Sequence, residues 1–405
     1  MSINNKKTFS LESIVRPNIL TLKPYRCARD DYSSGILLDA NENSFGVILP
    51  KNDDKLFKEN GETLTLGIEN LNRYPDPNQV NIKERLVEFR KVPNIDYFFL
   101  GVGSDECIDL IIRIFCIPGK DKILITPPTY GMYSVCANIN DVNIIKVNLD
   151  VEDGKFQLKT DEILNVIKEQ KNIKIIFLCS PGNPTGTALS HESIKILLED
   201  ENYNGVVVID EAYIDFVEEE KNKNGSLVKW VTEYPNLIIM QTLSKSFGLA
   251  GIRLGVSIAN PNIIQLMNNT KAPYNISALT SHVTYTALSQ QNILKMKSIK
   301  QQIRSEHNKL ISSIKKISGI GKILGGNDAN FILVQILDKN DQNIVSNDRA
   351  HQVYKELAEN HGIVVRYRGN EIGCEGCLRI TVGTPKENEI LLKNLSELLE
   401  GDKKI

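Results

Sequence analysis

The sequence predicts an α/β protein built on a mainly parallel sheet held between helices. Three observations predict it. Short apolar runs alternate with helical patterns through the middle of the chain. Several runs are apolar at consecutive positions, as strands buried on both faces are. The residues able to do chemistry gather where such runs end, which is where open α/β sheets bind ligands.

Seven runs read as strands of one sheet: YFFL (97–100), KILIT (122–126), NIIKVNL (143–149), IKIIFLC (173–179), VVVID (206–210), NLIIM (236–240) and LGVSIA (254–259). Between them SDECIDLIIRIFC (104–116) and HESIKILLED (191–200) repeat apolar residues at helical spacing. After about Ala287 the pattern changes. A long helical segment (293–317), two short strands FILVQIL (331–337) and CLRITV (377–382) and a final helix read as a smaller α+β unit. The polar stretches 50–62 and 217–226 read as surface loops.

Composition narrows the function classes. At 405 residues, with 41% hydrophobic residues and a formal charge of −2, the chain has material for two ordinary domains. No block of Lys or Arg marks a nucleic-acid footprint; the basic stretch 16–29 is broken by prolines and apolar residues. No run approaches the roughly 18 apolar residues of a membrane span, and 1–15 holds no apolar signal-peptide core. Seven scattered cysteines read as reduced thiols of a cytoplasmic protein. Cys374-Glu-Gly-Cys377 is a lone pair without a second pair or matching histidines, and no metal is expected.

Four stretches carry chemistry. In GVGSDE (101–106), a strand-to-helix turn, Gly101 and Gly103 allow close backbone approach, and Ser104 is placed to cap the helix whose free N–H groups suit a phosphate. In SPGNPTG (180–186), prolines and glycines fix the amide of Asn183 at the sheet's edge. In VVVIDEAY (206–213), Asp210 ends an apolar strand, a costly place for a carboxylate unless a helix N-terminus or a protonated ring nitrogen pairs with it. Tyr213 follows within reach of the same ligand. In QTLSKSFGLAGIRLG (241–255), Lys245 sits between two serines after a strand, with Arg253 beyond a glycine-rich turn. A lysine there either solvates its charge or loses its proton and attacks a carbonyl.

Together these groups match one molecule. Gly103, Ser104, Asp105, Ser244 and Arg253 make a phosphate cradle, Asp210 suits a pyridinium nitrogen, and Lys245 suits an aldehyde. Asn183 and Tyr213 suit a phenolate oxygen, and Tyr130 of PPTYGMY suits the ring face. Pyridoxal 5′-phosphate (PLP) has all of these groups.

GVGSDE, PPTYGMY, SPGNPTG, DEAY and SKSFGLAGIR, in that order, resemble the fold-type-I PLP-dependent aminotransferases of the class-II subgroup. LLDANEN (37–43), RYPDP (73–77), KAPYNIS (271–277) and CLRITVGT (377–384) narrow the resemblance to the histidinol-phosphate aminotransferases. Ser44 departs from that pattern, where proline commonly follows NEN. The resemblance runs from about Ile14 almost to the C-terminus. It implies an N-terminal arm (1–45) joining a small C-terminal domain (288–405), and a large PLP-binding domain (46–287). It implies that Lys245 is the Schiff-base lysine and proton carrier, and that Asp210 keeps the pyridine nitrogen protonated. Arg379 would bind the α-carboxylate of glutamate or 2-oxoglutarate; Arg366 would bind the phosphate of histidinol phosphate, with Tyr25 and Asn43 nearby. Tyr74 would reach the cofactor phosphate of a neighbouring subunit, making a homodimer with shared active sites, and the Asn183–Pro184 bond would be cis. A threonine-phosphate decarboxylase of the same fold, or a PLP-binding protein without turnover, are the alternatives.

Overall fold

The computed structural model describes residues 34–49, 71–218 and 224–401, together with 21, 28, 31, 32, 58, 59, 62 and 63. Tyr25 and most of the two expected loops, 50–62 and 217–226, lie outside the described residues. Within the first of them Lys58–Glu59 pairs antiparallel with Glu62–Thr63.

All seven expected strands form one sheet. They are β1 (Phe98–Val102), β2 (Lys122–Ile125), β3 (Asn143–Lys146), β4 (Ile173–Cys179), β5 (Val206–Asp210), β6 (Leu237–Thr242) and β7 (Leu254–Ala259). Their order is β1-β7-β6-β5-β4-β2-β3, with β7 antiparallel to both neighbours and every other pairing parallel. Parallel neighbours need a long crossover, which the helices Met132–Ile139 and His191–Glu199 help to supply. From β6 to β7 the chain spans only residues 243–253, with a single helical turn at Ala250–Ile252, so the pairing is antiparallel.

The strands are apolar at consecutive positions because the sheet has a core on each face. Phe98, Ile176, Val207 and Ile239 belong to one cluster, while their neighbours Phe99, Ile175, Val208 and Ile238 belong to the other. The first cluster runs on into a second sheet of β8 (Ile320–Leu324), β9 (Phe331–Ile336), β10 (Arg366–Tyr367) and β11 (Cys377–Thr381). That sheet is antiparallel in the order β8-β9-β11-β10, packed with the helices Gln290–Ile314, Asn347–His361 and Pro385–Gly401. Near the chain's start, Ile36–Leu37 pairs in parallel with Ile363–Val364, tying the segment before the large sheet to the segment after it.

One local expectation is corrected. The helix α1 (Gly103–Phe115) begins one residue before Ser104, at Gly103, and no side chain caps it. Glu106 instead turns back to accept the N–H of Val102 at 2.5 Å. The Ser104 hydroxyl is therefore spared for a ligand. This helix end packs tightly on β7: a Cβ on Gly255 would lie 2.3 Å from the Gly103 carbonyl carbon. Gly103 itself has φ +69°, a conformation that side chains rarely adopt. Replacing Gly255 with alanine should cost about 1–3 kcal/mol or more, because backbone must move to admit the methyl. Gly251→Ala, where nothing lies within 4 Å, should stay within about 0.5 kcal/mol. Urea unfolding of both variants measures the contrast, and equal losses would show that the approach of β7 to the turn is not tight.

Candidate functional site

A cavity of about 260 Å³ opens at the carboxyl ends of β4, β5 and β6. Its lining includes Asn183, Asp210, Tyr213, Lys245 and Arg379, and it extends to Ser104, Asp105, Tyr130, Ser244, Arg253 and Arg366. Residues 179–189 and 206–210 are buried throughout and 240–249 at all but two positions, which keeps the ligand groups away from bulk water.

Asp210 ends β5 beside Cys179 of β4 and is only 3% exposed. Its Oδ2 accepts the hydroxyl of Tyr133 at 2.7 Å and its Oδ1 accepts the Ala212 N–H at 3.1 Å. Burial pushes this carboxyl up to about 6, with the two hydrogen bonds opposing the rise. Tyr133 lies flat on Phe177, with ring centroids 4.8 Å apart. The motif PPTYGMY points to Tyr130 and gives no sign of Tyr133. The only signal available was that a buried carboxylate must have a donor. Tyr130 instead gives its hydroxyl to Asp105 at 3.1 Å.

Lys245 follows β6 and donates to the Ala40 carbonyl at 2.9 Å, with Nζ 6.0 Å from the centre of the Tyr213 ring. Burial, then the Arg379 cation, push its amine down to about 8. The strand end is pinned by Thr242, which donates to the Leu254 carbonyl at 2.9 Å and accepts the Ser244 N–H at 3.1 Å. Arg253 closes the turn in a left-handed conformation, φ 54°, and its Nη2 meets Asp105 at 3.3 Å. A Cβ on Gly103 would strike that same Nη2 at 2.6 Å, so the missing side chain is what lets the guanidinium reach the helix end. Asp105 holds Arg253 and Tyr130 in place, which suits a carboxylate better than direct contact with an anion.

On the opposite wall Arg379 of β11 donates from Nη1 to the Asn183 Oδ1 at 2.6 Å and from Nη2 to the Asp39 carbonyl. With its oxygen engaged, the Asn183 amide turns its N–H₂ end to other partners; the Asn183–Pro184 bond is cis. The Tyr213 hydroxyl accepts from Asn41 Nδ2 at 2.9 Å, and burial pushes it up to about 12 against the pull of Arg379. Asn41 lines the cavity, whereas Asn43 does not: its amide donates to the Ser246 carbonyl at 3.2 Å and its oxygen accepts the Phe45 N–H. The motif DANEN holds both asparagines and nothing in it distinguishes them. Arg368 joins Arg366 in the lining, a residue the sequence reading left out. Tyr74 stands outside the cavity lining, 81% exposed and stacked on Tyr274 at 4.6 Å.

This donor set fits PLP. A buried carboxyl with its own donors faces the place for a ring N–H, and an amine near neutrality faces the place for an aldehyde. A cation, two serines and a helix N-terminus line one end of the same cavity, as a phosphate requires.

The sequence model described as aminotransferase class I and II matches residues 33–395. The chain is 49% identical to the histidinol-phosphate aminotransferase of Schizosaccharomyces pombe over 97% of its length and 98% of that protein. It is 45% identical to that of Saccharomyces cerevisiae over 96% of its length and 98% of that protein. The fold superposes on the histidinol-phosphate aminotransferase of Sinorhizobium meliloti in complex with pyridoxal-5′-phosphate with a TM-score of 0.80. That likeness covers 98% of this chain and 99% of the other, at 20% identity.

The position of Lys245 sets a pH dependence. A lysine pushed down to about 8 is mostly neutral above that pH, whereas an ordinary one needs about 10.4. In the chain freed of bound aldehyde, labelling of Lys245 by an amine-reactive reagent should reach half its maximum near pH 8. Arg379→Gln, which removes the second cause of the shift, should move the midpoint up. Peptide mass spectrometry across a pH series reads both, and a wild-type midpoint near 10 would overturn the assignment.

Proposed function

The chain belongs to the aminotransferase class I and II family, and on that premise we propose the reaction and the part each residue plays in it. The chain is a PLP-dependent transaminase exchanging an amino group between L-histidinol phosphate and 2-oxoglutarate, giving imidazole acetol phosphate and L-glutamate. The observation that carries the chemistry is a single cavity holding a buried amine near 8 and a buried carboxyl near 6. The near-full-length relatives carry the choice of substrate over a decarboxylase or a protein without turnover.

Bound PLP supplies an aldehyde that condenses with amines and a protonated ring that accepts negative charge from the substrate's α-carbon. Lys245, buried and poor in charge, is the amine that meets the aldehyde, and once freed its Nζ takes the α-proton and gives it back. Asp210, fixed by Tyr133 and Ala212, holds a proton on the ring nitrogen. Asn183 and Tyr213 would hydrogen-bond the phenolic oxygen, and Tyr130 would hold the ring face. Arg253, Ser104, Ser244 and the first N–H groups of the helix that follow Gly103 would hold the cofactor phosphate; the Gly103 N–H itself donates to the Arg253 carbonyl. Arg379 would take the α-carboxylate of glutamate by a bidentate fork, and Arg366 the phosphate of histidinol phosphate, with Tyr25 beside it; Asn43, outside the cavity lining, is left to hold Ser246 and Phe45.

The domain division follows this reading: 46–287 carries the PLP groups, while 288–405, joined by the arm 1–45, supplies the substrate arginines. The pairing of Ile36–Leu37 with Ile363–Val364 is what supports joining the first segment to the last. Among the described residues no helix is long and apolar enough to cross a membrane, and the reading places the enzyme in the cytoplasm as a homodimer.

Purified protein with PLP should absorb in the visible range, lose that band when histidinol phosphate is added and regain it with 2-oxoglutarate. Lys245→Ala should fold but lose turnover, and borohydride should fix the cofactor to Lys245 in wild type. A fixed label on another lysine, or release of carbon dioxide, would sink the assignment.

The exposed stack of Tyr74 on Tyr274 supports a cofactor site shared between two copies of the chain. Lys245→Ala and Tyr74→Ala chains, each impaired at limiting cofactor, should recover activity when mixed. Random pairing makes half the dimers hybrid with one intact site of two, so recovery should reach about a quarter of wild type. If Tyr74 serves its own chain, mixing restores nothing.

A further inference from the structure

We propose that Arg368, steadied by Glu371, is a specificity residue that with Arg366 makes a two-guanidinium subsite for a phosphate dianion; this rests on the transamination reading above. β10 and the residue after it lie along β11: Arg366 sits opposite Arg379, Tyr367 opposite Leu378, and the Arg368 N–H donates to the Cys377 carbonyl at 2.9 Å. Side chains two residues apart on a strand share a face. Arg366 and Arg368 accordingly both line the cavity, while the Tyr367 ring meets His351 edge-on, centroids 5.2 Å apart.

Two residues of strand span about 6.6 Å, enough for one tetrahedral anion to sit between two guanidinium groups. Arg368 is built to stay there. Its Nη1 meets Glu371 at 2.6 Å, and the Glu371 N–H donates back to the Arg368 carbonyl at 3.0 Å, closing a turn around the side chain. Its Nε is buried and has no hydrogen-bond partner among the described residues. The arginine is thus half used: one nitrogen is anchored to a carboxylate, and the Nε has no partner.

The two amino donors of the reaction differ in the charge they bring to this wall. A carboxylate carries one negative charge, whereas a phosphate monoester carries two once pH exceeds about 6. Arg379, oriented by Asn183 and Asp39, is assigned to the α-carboxylate, so one further arginine answers the distal carboxylate of glutamate and two answer a phosphate dianion. Glu371 keeps Arg368 partly neutralised, which moderates its pull on the singly charged carboxylate.

Steady-state kinetics with L-histidinol phosphate, unphosphorylated histidinol and 2-oxoglutarate tests this. Losing one charge-assisted hydrogen-bonded partner, Arg368→Gln should raise KM for histidinol phosphate about tenfold or more. KM for 2-oxoglutarate should move much less, and the preference for the phosphorylated donor over histidinol should shrink. In wild type that KM should fall as pH rises through about 6, where the dianion forms; in Arg368→Gln the fall should flatten. Glu371→Gln releases the guanidinium and should lower the same KM, so the two variants move in opposite directions. If both raise it alike, Arg368 is only the structural partner of Glu371 and the proposal fails; equal changes for all three substrates overturn it too. Should Arg368→Gln not fold, Arg368→Lys makes the same comparison, with a smaller rise expected. Wild-type turnover of histidinol phosphate is the control: its absence would defeat the transaminase reading, whereas its presence with an unchanged variant KM would defeat only the role of Arg368.

Discussion

The site depends on burying two opposite charges in one cavity without letting either dominate. Asp210 stands where a strand with apolar cores on both faces runs out, and an unpaired carboxylate there is costly. Tyr133 and the Ala212 N–H reduce that cost, yet burial still drives the carboxyl toward its neutral form. Burial acts on Lys245 in the opposite sense, and again the charged form is disfavoured. Each group is therefore primed for a ligand that returns what burial removes. A ring cation stabilises the carboxylate, and an aldehyde consumes the neutral amine. Neither group has this property at the protein surface, so the two-sided core of the large sheet is a condition of the chemistry.

The one antiparallel strand in the interior of that sheet is the second condition. β7 returns directly after the lysine, and this brings Arg253 back over the start of α1. A helical crossover would have carried the arginine to the far end of the sheet. The direct return demands space, which Gly255 and Gly103 provide by having no side chains where helix, strand and guanidinium meet. Thr242 then ties the two strand ends together through the Leu254 carbonyl. The proposed phosphate site is thus a consequence of chain direction as much as of the residues named in the motif.

Much of this was legible in the sequence, and the parts that were not share a physical cause. The runs 173–179, 206–210 and 254–259 are the strands to the residue, because each is apolar at nearly every position and ends at turn chemistry. β6 runs two residues past its apolar stretch because Gln241 and Thr242 are buried with partners, Glu211 and the Leu254 carbonyl. Ile320–Leu324, Arg366–Tyr367 and the pair Ile36–Leu37 with Ile363–Val364 went unread; they are short, and their partners lie far away or across a turn. The same blindness applies inside the site. Tyr133, Asn41 and Arg368 are placed by long-range packing, whereas Lys245, Asp210 and Asn183 each sit at a strand end that local pattern reveals. Ser104 was read as a cap because its type suits one; Glu106 took over the N-terminal donor, and a serine without that duty is more useful at a phosphate site.

The support for a second copy of the chain at the phosphate end comes from a line of contacts running outward from the cradle. Glu106, which holds the Val102 N–H, also accepts from Asn275 at 3.0 Å, and Asn275 donates as well to the Leu100 carbonyl. Tyr274, next in the chain, adopts φ 56° and carries Tyr74 stacked on its ring. Val102, Tyr274 and Tyr74 are 42%, 42% and 81% exposed, an unusual amount of apolar and aromatic surface to leave in water beside a binding site. Every step in that line is short and rigid: a helix first turn, an amide with two acceptors, a strained backbone position, a ring stack. An exposed tyrosine anchored this firmly is costly to a lone chain, and it gains a purpose if its hydroxyl is delivered to the phosphate cradle of another copy. In the proposed dimer the backbone that shapes one cradle from within would also be the backbone that projects the tyrosine completing the next.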